Sequence, residues 1–247
     1  MVNVLLSGGL GSSFMLAQAL HAARGGSSVA VGDRGGALHG VNKGASVIAT
    51  FVDYGQPAAE EERKAAELVS STMDVDLYIM DGPCLSKALM NNMSLYDDVD
   101  MPDKPGHAMA SLSGPRVLIG RNLMLVSIAA MFPGTKTVLL GCTADDGPIY
   151  GDCDRTNLEY LNNFTVMAYG VQIALPLHQM EKKEVAWMAT RCLADKSLVS
   201  LTWSCYSPAT PGVACGECNA CKERKKALAV SGEEQQDWNY QMGASNV

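Results

Sequence analysis

Val2-Asn3-Val4-Leu5-Leu6-Ser7-Gly8-Gly9-Leu10-Gly11-Ser12-Ser13-Phe14 is the stretch that decides the fold class of this chain. A short apolar run ends in a glycine turn, and the apolar, helix-forming segment Phe14 to Ala23 follows, so the reading is strand, turn, helix. In that order the backbone N–H groups of the turn converge at a helix start, where the positive end of the helix dipole favours an anion. Ser7 to Ser13 is therefore a candidate phosphate cradle. It has no Gly-Lys-Ser/Thr ending of a Walker A loop, and it lacks the Gly-x-Gly-x-x-Gly spacing of a dinucleotide fold.

Working outward, the alternation continues. Val47 to Val52 reads as a second buried strand, Pro57 to Thr72 as a helix with proline in its first turn, and Val75 to Met80 as a third strand. Leu123 to Phe132 is apolar nearly all round, as a buried helix would be, and Thr137 to Leu140 is a strand ending at Gly141. Asn157 to Tyr169 forms a helix and Val171 to Leu175 a strand, while Val185, Met188, Ala189 and Cys192 recur at helical spacing after Glu181. This order predicts an α/β fold: a doubly wound parallel sheet with helices on both faces and ligands at the carboxyl ends of the strands. Two stretches break the rhythm. Arg24 to Ser46 holds seven glycines and reads as a poorly ordered insertion, and Asp81 to Ser113, without a clean period, reads as a substrate lid.

With 247 residues, 47% of them hydrophobic, the chain can bury one substantial core plus a small appendage. The expected division is a main domain over 1–200, a metal-binding region over 201–230 and a tail over 231–247. A formal charge of −7 argues against wrapping a nucleic-acid backbone, which needs clustered Lys and Arg, and favours a small substrate. No stretch reaches the apolar length of a bilayer span and Met1 to Leu6 does not resemble a signal peptide, so a cytoplasmic protein with no membrane partner is expected.

The appendage announces itself through Cys205, Cys215, Cys218 and Cys221. A Cys-x2-Cys-x2-Cys turn gathers three sulfurs on one loop, Gly216 eases the turn, and a fourth cysteine upstream closes an S4 shell of the kind zinc favours. An iron–sulfur cluster is the rival occupant, and disulfides are the weaker alternative in a reducing compartment. Four thiolates leave no open coordination position, so the site is structural. Cys84, Cys142, Cys153 and Cys192 read as unpaired thiols, with Cys153 a packing residue. Lys222, Arg224, Lys225 and Lys226 follow on a helix, as a counter-charge to the thiolates or a wet face.

At the ligand edge of the sheet, Asp53, Tyr54, Gly55 and Gln56 offer a carboxylate, a ring and an amide to a nucleotide, with a capping turn as the plainer reading. Arg121 and Asn122 open a helix, where an arginine sits poorly against the dipole unless it faces a phosphate or a carboxylate. Asp146, Asp152 and Asp154 share a loop after a strand, suited to magnesium, a purine-like edge or water, with Asp146 the first choice. Lys182 has the reach for a phosphate and Lys183 is its solvated neighbour. His21, His39, His107 and His178 show no metal-ligand pairing, and Trp203 reads as a packing anchor.

The loop resembles the Ser-Gly-Gly-x-Asp-Ser signature of ATP pyrophosphatases, and together with the four cysteines the chain is similar to the 7-cyano-7-deazaguanine synthase family. The likeness runs from Val4 to Arg224. It takes in Phe51 to Gln56, Gly120-Arg121-Asn122, the Gly141 to Cys153 stretch with Asp146, Tyr150 and Asp152, Leu177 with Lys182 and Glu184, and Thr202-Trp203-Ser204-Cys205-Tyr206. It departs where Gly11 replaces the loop aspartate, Ile119 a proline and Ala144 a glutamate. The resemblance implies an adenine nucleotide alpha hydrolase-like fold, structural Zn2+, Mg2+, ATP as co-substrate and a homodimer. It also implies an activity: ATP-dependent conversion of 7-carboxy-7-deazaguanine and ammonia to 7-cyano-7-deazaguanine, for queuosine or a DNA modification. Ser7, Gly8, Gly9, Leu10, Gly11, Ser12 and Ser13 would hold phosphates, Asp53 to Gln56 would bind ATP, Arg121 and Asp146 would orient the acceptor, and Lys182 would join them as a catalytic residue that reaches a phosphate. The alternatives are a related ligase that stops at the amide or joins another amine, and, given Gly11, a silent ATP-fold binding protein.

Overall fold

A computed structural model of the chain describes residues 1–26, 41–82, 120–148, 150–192, 197–206, 208 and 210–231. The centres of both irregular stretches, with Cys84, His39, His107 and Ile119, lie outside these residues, as do nearly all of the tail and the side chain of Cys192.

Among the described residues five strands form one parallel sheet: β1 (Val2–Leu5), β2 (Val47–Asp53), β3 (Leu77–Asp81), β4 (Thr137–Leu139) and β5 (Gln172–Ala174), in the order β3-β2-β1-β4-β5. Val4 stands beside Ala49 on one side and Leu139 on the other. The helices are α1 (Leu10–Ala23), α2 (Ala59–Met73), α3 (Arg121–Ala130), α4 (Arg155–Tyr169), α5 (Lys182–Cys192), α6 (Ser197–Leu201) and α7 (Asn219–Ser231). The winding reverses between β1 and β4, so the crevice at their carboxyl ends is a topological switch point, the usual ligand position in an open parallel sheet.

Strand alternation sorts side chains into two cores. Val2, Val4, Leu6 and Leu139 join Phe14, Leu16, Val69 and Val185 on one face. Leu5, Val138 and Ile173 join Val126, Ala129 and Leu158 on the other. Buried polar residues cross this pattern, among them Asn3, fully buried, whose amide donates to the Ala129 carbonyl at 3.0 Å and whose oxygen accepts from Thr50 at 2.9 Å. Both ends of the amide are satisfied, which removes the cost of burying it.

The expectation of an all-round buried helix at Leu123 to Phe132 is corrected. In α3 only Asn122, Val126 and Ala129 are buried, while Leu123 is 48% and the following Met131 80% exposed. A helix lying on one face of a sheet buries a single stripe, however apolar its other positions are. Among the described residues no helix is long and apolar enough to cross a membrane.

Candidate active site

The glycine loop joins β1 to α1, and α1 begins at Leu10 rather than at Phe14, so Leu10 to Ser13 already form its first turn. Gly8 has φ +74°, and a Cβ there would lie 2.5 Å from the Glu62 carbonyl oxygen and 2.8 Å from the Ala65 Cβ. Only glycine fits that approach. Gly9 is the N-cap, so the N–H groups of Leu10, Gly11 and Ser12 have no partner within the helix and are available to an anion. Ser12 Oγ lies 3.2 Å from Ser7 Oγ and donates to the Gly9 carbonyl at 3.1 Å, bracing the turn. From the far end of the chain, the Trp203 N–H donates to the Gly8 carbonyl at 2.9 Å.

Beneath the loop lies a cavity of about 530 Å³, within the usual size of a ligand pocket. Ser7, Gly9, Leu10, Gly11 and Ser12 line it together with Tyr54, Gly55, Gln56, Arg121, Asp146 and Lys182. Three expected residues stand back. Gly8 packs against α2, and Asp53 closes its own turn by accepting from the Gly55 N–H at 2.8 Å. Ser13 is fully buried, with its hydroxyl lacking a hydrogen-bond partner among the described residues.

The charged groups are held in pairs. Arg121 Nη2 lies 3.4 Å from Asp152 Oδ2, and the guanidinium stacks 5.6 Å from the Tyr150 ring centroid. Burial opposes the charge on Arg121, but Asp152, Tyr54 and Cys153 outweigh it and raise its pKa. Lys182 Nζ lies 2.9 Å from Asp146 Oδ1, and the same balance of burial against Asp146 raises the lysine. Asp146 Oδ2 accepts from both the Thr143 N–H and its hydroxyl, at 2.8 and 2.7 Å. Asp154 caps α4 through its bonds to the Thr156 and Asn157 N–H groups. Cys153 lies in the cavity wall, 3.4 Å from both Cys142 Sγ and Asn122 Nδ2. The hydrogen bond from Cys142 lowers the Cys153 thiol and raises that of Cys142.

Sequence reasoning passed over Glu62, a cavity residue one turn into α2 whose Oε2 accepts from Gln56 Nε2 at 2.9 Å. Burial raises it from 4.5 to about 7, with Asp53 and Glu61 adding to the effect and the Gln56 amide and Arg121 opposing it. Its position in a run of three glutamates reads as a solvated helix start, so no local signal marks it out. Arg224 also differs from expectation: it is 4% exposed, not a wet face, because Thr202, Ser204 and the Val199 carbonyl take its donors.

The four cysteines converge. Their sulfurs all lie within 4.8 Å of one another, with 3.5 Å for Cys205–Cys215 and Cys218–Cys221 and 3.9 Å for Cys215–Cys221. A tetrahedral site with metal–sulfur bonds of about 2.3 Å requires sulfurs about 3.8 Å apart, so the set fits a metal ion. Burial opposes ionisation of Cys215, yet the N–H groups of Cys218 and Glu217 outweigh it and lower its thiol to about 7. Gly216 makes the turn at φ +74°. Trp203 packs on Cys205 and Cys221, as an anchor should, and its indole donates to the Cys205 carbonyl at 2.8 Å. Among the described residues no second such group of ligands gathers. Asp146 has both oxygens engaged, and among the described residues no group of three carboxylates gathers that could hold magnesium.

A sequence model for the queuosine biosynthesis protein QueC matches residues 37–232. The chain belongs to the QueC family. A 7-cyano-7-deazaguanine synthase of Thermoplasma volcanium is 30% identical over 240 residues, covering 93% of this chain and 86% of that protein. The 7-cyano-7-deazaguanine synthase 1 of Colwellia psychrerythraea is 31% identical over 194 residues, 75% of this chain and 83% of the relative. A third QueC relative, the synthase of Xanthomonas oryzae pv. oryzae, is 28% identical and covers 93% of both chains. The QueC match takes in Asp53 to Gln56, Arg121, Asp146, Lys182 and all four cysteines. The two relatives that cover 93% of the chain align with nearly all of its length.

Proposed function

We propose that the protein converts 7-carboxy-7-deazaguanine and ammonia to 7-cyano-7-deazaguanine at the expense of ATP. A carboxylate is a poor electrophile until its oxygen becomes part of a good leaving group. One carboxylate oxygen attacks the α-phosphorus, an O–P bond forms, and the bond to pyrophosphate breaks. Ammonia then attacks the acyl carbon and AMP departs, leaving the amide. A second adenylation, on the amide oxygen, permits loss of AMP and of both N–H protons to give the nitrile.

One observation carries this reading: the unsatisfied N–H groups of the loop share a cavity at the sheet's switch point with Arg121 and Lys182. The Leu10, Gly11 and Ser12 N–H groups hold the phosphates, and Lys182 offsets charge on the departing pyrophosphate. Arg121, steadied by Asp152 and Tyr150, orients the substrate carboxylate. Tyr54, Gly55 and Gln56 face the nucleoside. The four cysteines hold zinc, which when bound fixes the C-terminal wall of the cavity. With no preformed ligand set for magnesium, that ion has no step assigned to it. The reading includes a homodimer, checked by light scattering.

The test is a reaction of purified, metal-loaded protein with ATP, magnesium, ammonium and the carboxy-deazaguanine. Pyrophosphate release and a product at the nitrile mass are expected. Product stopping at the amide mass would point to the shorter reaction, and absence of both pyrophosphate and new base would overturn the proposal.

A further inference from the structure

Among the described residues three carboxylates line the cavity: Glu62, Asp146 and Glu223. Asp146 is paired with Lys182 at 2.9 Å and Glu223 with Lys226 at 2.8 Å. Among the described residues Glu62 has no ion-pair partner, and Gln56 is the one hydrogen-bond partner of its carboxylate, bound to Oε2. Oε1 is left for a small donor. The residue also sits beside the phosphate loop, since its own carbonyl oxygen presses on Gly8. An unpaired carboxylate beside a phosphate cradle repels nucleotide unless it is protonated or meets a cation, so its presence calls for one of the two.

The reaction supplies such a cation. Ammonia is mostly ammonium at neutral pH, and ammonium has no lone pair with which to attack carbon. We propose that Glu62 binds ammonium in the cavity and takes a proton from it, releasing neutral ammonia beside the activated acyl carbon; this rests on the synthase reading above. The proton passes from nitrogen to Glu62 Oε1. The nitrogen lone pair then forms the C–N bond, the C–O bond to AMP breaks with its electrons going to AMP, and the second surplus proton on nitrogen leaves to water. Glu62 returns its proton to solvent before the next cycle.

The surroundings suit the task. Burial, helped by Asp53 at the end of β2 and Glu61 on α2, holds Glu62 toward the protonated form, while the Gln56 amide and Arg121 on α3 hold it toward the charged form. Tyr54, whose own pKa burial raises, faces the same space as a neutral donor. A carboxylate raised to about 7 changes charge near the working pH, which is where a general base transfers protons most effectively.

The experiment compares two nucleophiles on wild type, Glu62→Gln and Glu62→Asp. Hydroxylamine is neutral at pH 7 and needs no base to become a nucleophile. The expected result is that Glu62→Gln lowers kcat/KM for ammonium on the order of 10²-fold more than for hydroxylamine, with Glu62→Asp recovering part of the difference. Equal losses with both nucleophiles would overturn the proposal. A second readout needs no turnover: infrared difference spectra follow the carboxyl band that Glu62→Gln removes. Ammonium chloride should move its titration to lower pH, and tetramethylammonium chloride, which has no N–H to donate, should not. The same shift with both salts, or with neither, would also overturn it. Wild type that releases no pyrophosphate would sink the synthase reading instead, while the infrared titration would still decide whether Glu62 takes ammonium.

Discussion

The Arg224 guanidinium donates through Nη1 to the Thr202 hydroxyl at 2.8 Å and through Nη2 to the Val199 carbonyl at 2.8 Å, tying α7 to the segment that enters the cysteine cluster. A buried arginine with its donors engaged fixes geometry that a lysine cannot copy, because an ammonium lacks the planar fork. Arg224→Ala should lower unfolding free energy by about 2–4 kcal/mol, and Arg224→Lys should recover less than half of that, measured by urea denaturation of metal-loaded protein.

Gly8→Ala tests the closest approach in the site. The added methyl would meet the Glu62 backbone at 2.5 Å while forcing a non-glycine residue to φ +74°. The expected cost is about 2–4 kcal/mol of stability, with nucleotide affinity weakened at least tenfold by calorimetry. Affinity within twofold of wild type would show that the loop does not hold the phosphates.

Glu62 also leaves a signature in the pH dependence of folding. Its pKa is raised from 4.5 to about 7 in the folded protein, so the native state binds more protons than the unfolded chain between those values. The stability this group contributes is whole below about 4.5 and is lost as pH rises through 7. Glu62→Gln cannot ionise and should gain on wild type by about 2–3 kcal/mol between pH 4 and pH 8, less than the full shift implies because the cavity side of the carboxylate is hydrated. A difference that does not vary with pH would refute the raised pKa.

The cysteine cluster should hold one zinc per chain by elemental analysis, in a colourless protein. Because protons compete with the metal for thiolates, the affinity should fall as pH falls. Cys218→Ser or exhaustive chelation should destabilise the protein by about 3 kcal/mol or more, read as loss of the cooperative thermal transition near its original midpoint. A brown chromophore would identify an iron–sulfur cluster in its place.

The sheet was legible because Val2 to Leu6 and Thr137 to Leu140 are buried on both faces and, Asn3 and Thr137 apart, read as apolar runs, with glycine near their ligand ends. The cysteine site was legible because its ligands are close in sequence. Glu62 and Arg224 were not, since each looks like one more charge on a charged helix and its burial is decided by partners far along the chain. Thr202 lies 22 residues from Arg224, and the contact of Gly8 with Glu62 spans two elements. The reach of the C-terminal cysteine region was hidden for the same reason: Ser204, Tyr206, Glu223 and Arg224 all line the cavity. Cys153 looked like packing, and only the folded chain brings Cys142 and Asn122 to its sulfur.

Trp203 holds the Gly8 carbonyl with its backbone and the Cys205 carbonyl with its ring. The turn that follows β1 is thus completed by a segment that lies beyond β5 in the chain. A nascent chain stalled before Trp203 would carry all five described strands and still present an unfinished turn.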